Sequence, residues 1–430
     1  MAKKKVEEEV NDSTFDKLIE EEFTEVEDLS KIDDSVDYYV DTGNYALNYA
    51  ISKRFRGGYP GGRITNLFGL SGTGKSMLPA IASRAKQWNN LDLFQFDRII
   101  VIDSEGGGTG KSLFQFVNAP LDRVRYTTIS TLDSYKTNKE TGKSEAVADK
   151  DVPSKLDTPT YKYTRGLICF LKKLVYAMKY SGSKEKILII IDSISNIKSF
   201  RSAVEGTEDM GRAQKLLNNF FALDTDLHDI GATVLLASKV YTNLNNPYDP
   251  WIVSGGQSIA YNPSVSIKLT AMSDSEELSD AEIKAEKERR KTALGNSMKV
   301  IRATISKSRF GTENRNVWFL LDATYGIVRN SGLFGLLLDF GAIKKNGSRY
   351  ECPGVIEGSF YKKDFAKIFA EHEEEYIDKL QPIMDDIEEK IKSERISVNV
   401  SDLSEYDEEA EDLESSARDV LAAMEAEDES

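Results

Sequence analysis

Eight consecutive residues, Gly69-Leu70-Ser71-Gly72-Thr73-Gly74-Lys75-Ser76, restrict this chain more than any other feature in it. They follow the apolar run ITNLF and precede a helix-forming segment, the strand, loop and helix context in which G-x-x-x-x-G-K-[ST] cradles phosphate. Glycines let backbone N–H groups converge on phosphate oxygens with no Cβ in the way, and a helix N-terminus offers an anion positive partial charge. Lys75 is expected to reach the β- and γ-phosphates, and the Ser76 hydroxyl to hold Mg²⁺. Pro79 falls in the first helical turn, where its missing N–H costs nothing.

Further strands follow the loop. RIIVID (98–103), KILIIID (186–192) and ATVLLAS (232–238) alternate with helical intervals, and strands this apolar suit a parallel sheet buried on both faces. The expected fold class is α/β: a P-loop ATPase core with a mostly parallel central sheet flanked by helices. Asp192, closing the second of these runs, is placed to share the metal with Ser76. Glu105, in VIDSEGG just past the first, can polarise the water that attacks a γ-phosphate. ATP and Mg²⁺ are therefore the expected cofactors, and ATP hydrolysis the expected chemistry.

Downstream, VIRATISKS and VWFLLDAT alternate apolar and polar positions, which predicts antiparallel strands. Two inserts interrupt the pattern: 136–160, polar with two prolines, reads as a surface loop, and 273–297 reads as a charged, solvent-exposed helix. Near the N-terminus Phe15, Leu18, Ile19 and Phe23 give residues 13–28 an amphipathic helical pattern, able to dock on a neighbouring subunit or on its own domain. The expected organisation is an acidic N-terminal segment (1–39) with this oligomerisation helix and a core (40–345). A small helical C-terminal region (346–400) and an acidic disordered tail (401–430) follow.

Composition excludes several classes. With Cys169 and Cys352 alone there is no disulfide framework, and with two histidines in 430 residues a structural zinc site is hard to build. No apolar run approaches the ~20 residues that cross a bilayer, and Met-Ala-Lys-Lys-Lys leads into Val-Glu-Glu-Glu. A soluble cytoplasmic protein with no membrane partner is expected. The formal net charge of −15 looks hostile to nucleic acid, but residues 1–34 carry −8 of it and 401–430 carry −12, which leaves the body at +5. Acidic ends of this kind either solvate the chain or compete with DNA for its basic body.

The stretch GGYPGGRITNLFGLSGTGKS (57–76) resembles the entry to the ATPase core of the RecA superfamily. Alone it fits replicative helicases of the DnaB type and KaiC-type ATPases as well; later features resemble the strand-exchange recombinases. Val101-Ile102-Asp103-Ser104-Glu105 is similar to the strand carrying the catalytic glutamate, in the form found in T4-type phage recombinases. Asp192-Ser193-Ile194-Ser195-Asn196, the polar stretch from Lys198 to Asp209 and Met210-Gly211-Arg212-Ala213-Gln214 resemble a first DNA-binding loop and the helix after it. The strand ATVLLAS ends in Lys239 and the loop YTNLNNPYDPWIVSGGQSIAYNPS, whose Gly255-Gly256 matches the glycine pair closing the second loop. Lys307 and Arg309, in Ser306-Lys307-Ser308-Arg309, resemble the basic pair set against a neighbour's γ-phosphate. At Lys239 the bacterial archetype has a glutamine that senses that phosphate.

The resemblance covers about residues 40–345 and implies a DNA-dependent ATPase that polymerises as a helical filament on single-stranded DNA and exchanges strands with a homologous duplex. A mediator and a single-strand-binding protein would be further partners. Lys75, Glu105, Lys307 and Arg309 would be the catalytic set. Lys198, Arg201, Arg212 and Lys239 would meet phosphates, and Tyr241, Tyr248 and Trp251 would pack against bases. A ring-forming helicase of the same superfamily and a catalytically silent nucleotide-binding scaffold remain the alternatives.

Overall fold

The computed structural model describes residues 35–84, 87–89, 92–106, 110–206, 210–242, 251–254, 257–273, 280–289, 298–310, 313–322 and 326–393. The chain divides into two units, Met1–Asp37 and Tyr38–Ser430, and the central sheet and the candidate site both belong to the second. The N-terminal amphipathic segment and the acidic tail lie outside the described residues.

A nine-stranded sheet forms the centre. Its strands are β1 (Ile64–Gly69), β2 (Arg98–Asp103), β3 (Val124–Thr128), β4 (Ile187–Asp192), β5 (Ala232–Ser238), β6 (Val265–Ala271), β7 (Lys299–Ser308), β8 (Arg315–Asp322) and β9 (Gly326–Ile327). They lie in the order β9-β8-β7-β6-β1-β5-β4-β2-β3. From β6 to β3 every neighbouring pair is parallel, and β7, β8 and β9 extend the sheet antiparallel. The α/β expectation and the two antiparallel strands read from alternation are both met.

The apolar runs are explained by burial on two faces. Along β4, Leu188 and Ile190 point into one core with Leu67, Leu235 and the helix α1 (Tyr45–Ser52). Ile187, Ile189 and Ile191 point into the other, with Leu171 and Val175 of α2 (Leu167–Ser181) and Phe220 of α3 (Met210–Phe221). With period-2 alternation, a strand covered on both sides has no position open to a polar side chain, which is why KILIIID carries its first carboxylate at its end. The register sets that end: Asp192 pairs with Asp103 of β2 and with Ala237 of β5, while Ser238 pairs with Phe68 of β1. The ends of β1, β2, β4 and β5 therefore meet at one edge.

Three expectations need correcting. The insert 136–160 is not a plain loop: Tyr135–Asn138 pairs with Ser144–Ala146 and with Tyr161–Thr164 in a small antiparallel sheet. Its hairpin is closed by Asn138, whose Oδ1 accepts from the backbone N–H groups of Glu140 and Thr141 at 2.9 Å each, an Asx turn that polar composition alone conceals. The C-terminal region is not wholly helical, since strands Lys344–Asn346, Arg349–Cys352 and Ile356–Phe360 precede the helices. The helical residues 373–393 are tied to the core by ion pairs from Glu388 to Lys53 (2.8 Å) and Arg315 (3.2 Å).

The third concerns the second insert. Its helix Ala281–Arg289 buries one face, with Glu282, Ile283 and Glu286 inside instead of in solvent. Glu282 is 2% exposed with neither carboxylate oxygen hydrogen-bonded, and burial, reinforced by the charge of Asp280, pushes its carboxyl up to about 8. The unfolded chain loses this proton at the ordinary glutamate value, so stability falls as pH rises from there through about 8, where the folded form finally ionises. Glu282→Gln is expected to raise the melting temperature by several degrees at about pH 8.5 and by much less at about pH 5. Equal shifts in thermal melts at the two pH values would contradict this.

Candidate functional site

At the shared strand edge the loop 69–76 borders a cleft of about 680 Å³. Gly69 must be glycine because a Cβ there would lie 2.2 Å from the Leu269 carbonyl oxygen. Gly72 (φ +74°) and Gly74 (φ +96°) take left-handed backbone, which turns the loop back on itself. The helix after the loop is short, Met77–Ala82, and Pro79 lies within its first turn as expected.

Lys75 is half-buried in the cleft wall, its Nζ donating to the Leu70 carbonyl at 2.5 Å. Burial holds its ammonium below the usual lysine range, against the pull of Asp192 and Glu105, and the Lys239 charge adds to the lowering. Asp192 is 6% exposed, and burial pushes its carboxyl up, opposed by a hydrogen bond from the Ser76 side chain. The carboxylates of Glu105 and Asp103 push the same way as burial, and the Lys75 ammonium opposes them. Among the described residues no group of three or more His, Cys, Asp or Glu could hold a metal ion. The Ser76–Asp192 pair suits Mg²⁺ nonetheless, because that ion keeps waters and substrate phosphate oxygens as most of its ligands.

Glu105 faces the same cleft. Its Oε1 lies 2.9 Å from Lys239 Nζ and accepts from Asn196 Nδ2 at 2.9 Å. The Ser193 hydroxyl donates to the same oxygen at 3.4 Å. Its backbone is braced by Asp103, whose Oδ1 accepts from the N–H groups of Glu105 (2.7 Å) and Gly106 (3.0 Å) while Oδ2 accepts from the Tyr126 hydroxyl (2.7 Å). Ser104 stitches β2 to β4, donating to the Ser193 carbonyl at 2.7 Å and accepting from the Ser193 N–H at 3.0 Å.

Sequence reasoning missed several of these residues. The bracing Asp103 had a signal, an Asp two residues before the glutamate at a strand end, the spacing of an Asx turn. Lys299 and Asp322 also line the cleft, and the Lys299 ammonium lies 2.8 Å from where a Cβ on Gly72 would stand. They carried no local signal, because the antiparallel pairing of β7 and β8 brings them there.

Lys307 and Arg309 are not in this cleft. Lys307 pairs with Ser266, which pairs with Asn66, and the Arg309 N–H donates to Ser264, whose own N–H donates to Ile64 at the start of β1. The pair thus stands at the opposite edge of the sheet from Gly69. There Lys307 Nζ donates to the Tyr261 carbonyl and Arg309 Nη2 to that of Asn262 at 3.5 Å. Burial and the Arg309 charge hold the Lys307 ammonium below its usual range. Asp224 attracts both cations, while burial pushes its own carboxyl up.

The segments expected to meet nucleic acid begin beside Glu105. Asn196 ends the turn Ile194–Asn196, after which Lys198 and Arg201 are exposed, Arg201 lying 3.8 Å from Glu205. Lys239 follows β5 directly and opens a hairpin in which Val240–Thr242 pairs with Trp251–Val253; Tyr241 is exposed and Trp251 half-buried. Arg212 lies on α3. Tyr248, Gly255 and Gly256 lie outside the described residues. Among the described residues no helix is long and apolar enough to cross a membrane.

In comparisons with known proteins no family model matches the chain, and no curated protein matches it. What it does has to be read from its own residues.

Proposed function

We propose that the chain is an ATP-dependent strand-exchange recombinase of the RecA superfamily, which polymerises on single-stranded DNA and pairs it with a homologous duplex. The observation that carries this is the convergence in one cleft of the glycine loop 69–76, Lys75, the Ser76–Asp192 pair and Glu105. On this reading 69–76 is a P-loop. Its N–H groups and Lys75 would hold the phosphates, and Ser76 with Asp192 would hold Mg²⁺, which when bound would neutralise charge on the phosphate oxygens. Glu105 takes a proton from water as the water oxygen bonds to the γ-phosphorus. The bond from that phosphorus to the bridging oxygen breaks, leaving ADP and phosphate.

Two further observations favour a recombinase over a lone ATPase. The basic pair Lys307 and Arg309 sits at the far edge of the sheet from Gly69, away from its own cleft, which fits a pair that completes a neighbour's site in a head-to-tail polymer. The two candidate DNA segments are rooted on either side of Glu105, so one group touches both the nucleotide cleft and the nucleic-acid surface. With few cations per protomer, binding is expected to be cooperative, sequence-independent and salt-sensitive.

The test is ATP turnover with and without single-stranded DNA, alongside electron microscopy. Stimulation of about tenfold or more with helical filaments on the DNA is expected. Absence of both stimulation and filaments defeats the reading, and hexameric rings that displace a strand from a fork would replace it with a helicase.

A further inference from the structure

Glu105 offers a single oxygen to three donors. Lys239 and Asn196 each lie 2.9 Å from Oε1 and the Ser193 hydroxyl lies 3.4 Å away. These three contacts occupy Oε1 and fix which way the carboxylate faces, and they must be given up before the group can turn to a water. The arrangement therefore restrains the group that the proposed hydrolysis needs free.

The two nearer donors belong to the roots of two different segments. The Lys239 N–H donates to Ser195 Oγ at 2.8 Å, and its carbonyl accepts from Ser254 N–H at 2.8 Å, so it forms the base of the paired strands Val240–Thr242 and Trp251–Val253 and is tied to the turn carrying Asn196. Two residues beyond Asn196, the Lys198 backbone is held by Ser130 (3.1 Å) and Leu132 (2.8 Å), and the exposed segment Arg201–Glu205 follows. Asp133 and Tyr135, at the start of the inserted sheet, add a 2.6 Å hydrogen bond to the Phe200 N–H and a ring contact with Phe200 at 5.0 Å. A ligand gripping the exposed side chains of both segments pulls on the backbone at these roots, which carries the two nearer donors to Glu105.

We infer that Lys239 and Asn196 are positioning residues that latch Glu105 away from the attacking water, and that DNA engaging the two segments draws them off and starts hydrolysis. This rests on the reading of the cleft given above, with ATP as substrate and Glu105 as base.

The experiment measures ATP turnover of the full chain without DNA and with saturating single-stranded DNA. Lys239→Met, which keeps length and removes charge, and Asn196→Ala are each expected to raise DNA-free kcat about tenfold, with KM for ATP moving less than about twofold. Lys239→Arg restores the low DNA-free rate, which loss of packing alone would not predict. Because the Lys239 side chain is half-exposed, its replacement leaves the fold standing. A DNA-free kcat at or below the wild-type value in both Lys239→Met and Asn196→Ala overturns the latch. Glu105→Gln separates the two layers: if it hydrolyses ATP as the wild type does, the base assignment fails and the latch with it. If it is inactive while Lys239→Met and Asn196→Ala are not accelerated, the latch alone is lost.

Discussion

Lys75→Ala is expected to lower DNA-stimulated ATP turnover a hundred- to a thousandfold, roughly 3–4 kcal/mol of transition-state stabilisation, with no loss of thermal stability. The size follows from where the ammonium sits. It is half-buried, it donates to a backbone carbonyl, and burial holds it below the usual lysine range. A charge in so weakly hydrated a position interacts strongly with charge that develops on a phosphate beside it. Keeping that charge already costs the folded state stability, since a lysine whose folded value is depressed is more easily ionised in the unfolded chain. Removing it therefore relieves a cost instead of breaking a support, and melting at neutral pH should be unchanged or slightly higher. Turnover within about threefold of wild type in a folded Lys75→Ala protein would show that the loop is not a phosphate grip.

The parts of the site legible in the sequence are those that parallel topology makes local. A strand buried on both faces must end before it can carry a carboxylate, so Asp192 announced itself by ending KILIIID and the Glu105 turn by following RIIVID. Parallel pairing in register then gathers strand ends at one edge without further information, which is why Gly69, Asp103 and Asp192 converge. The antiparallel extension behaves differently. Lys299 and Asp322 reach the cleft through the register of β7 and β8, and one residue of slip would turn each to the other face. Alternation of residue types fixes the face each side chain takes but not a shift of two residues along the strand, so it does not by itself bring them to the cleft.

Burial of polar residues was the other blind spot. The helix Ala281–Arg289 reads as solvent-exposed because its charges are dense, yet Glu282 and Glu286 pack inward, with Glu286 held by Arg289 at 2.6 Å. A mean over the segment hides which face is covered, and the covering residues are distant in sequence: Lys362 pairs with Asp280 at 2.8 Å. The contact between Lys239 and Glu105 is of the same kind, a tertiary pairing between two strand ends that are each legible alone.

Replacing Lys307 and Arg309 together by alanine is expected to abolish most DNA-stimulated turnover, by a hundredfold or more, without touching the cleft proposed to bind ATP. The pair lies level with Ile64 and Asn66, and Gly69 is five residues beyond Ile64 along β1, about 17 Å at strand spacing. On the proposed reading each cleft is therefore completed by the next protomer, and the defect can be repaired in trans. Lys307→Ala/Arg309→Ala protomers keep an intact Lys75, and Lys75→Ala protomers keep an intact basic pair. When the two inactive proteins are mixed in equal amounts on single-stranded DNA, random head-to-tail assembly puts a working loop opposite a working pair at about a quarter of the interfaces. Turnover should recover to a corresponding fraction of wild type, rising with protein concentration as filaments form. A pair acting within its own chain, or serving only to hold the Tyr261 and Asn262 carbonyls in place, gives no recovery at any mixing ratio. Mixing thus separates a shared site from a structural contact, and it does so with two variants whose individual rates are both near zero.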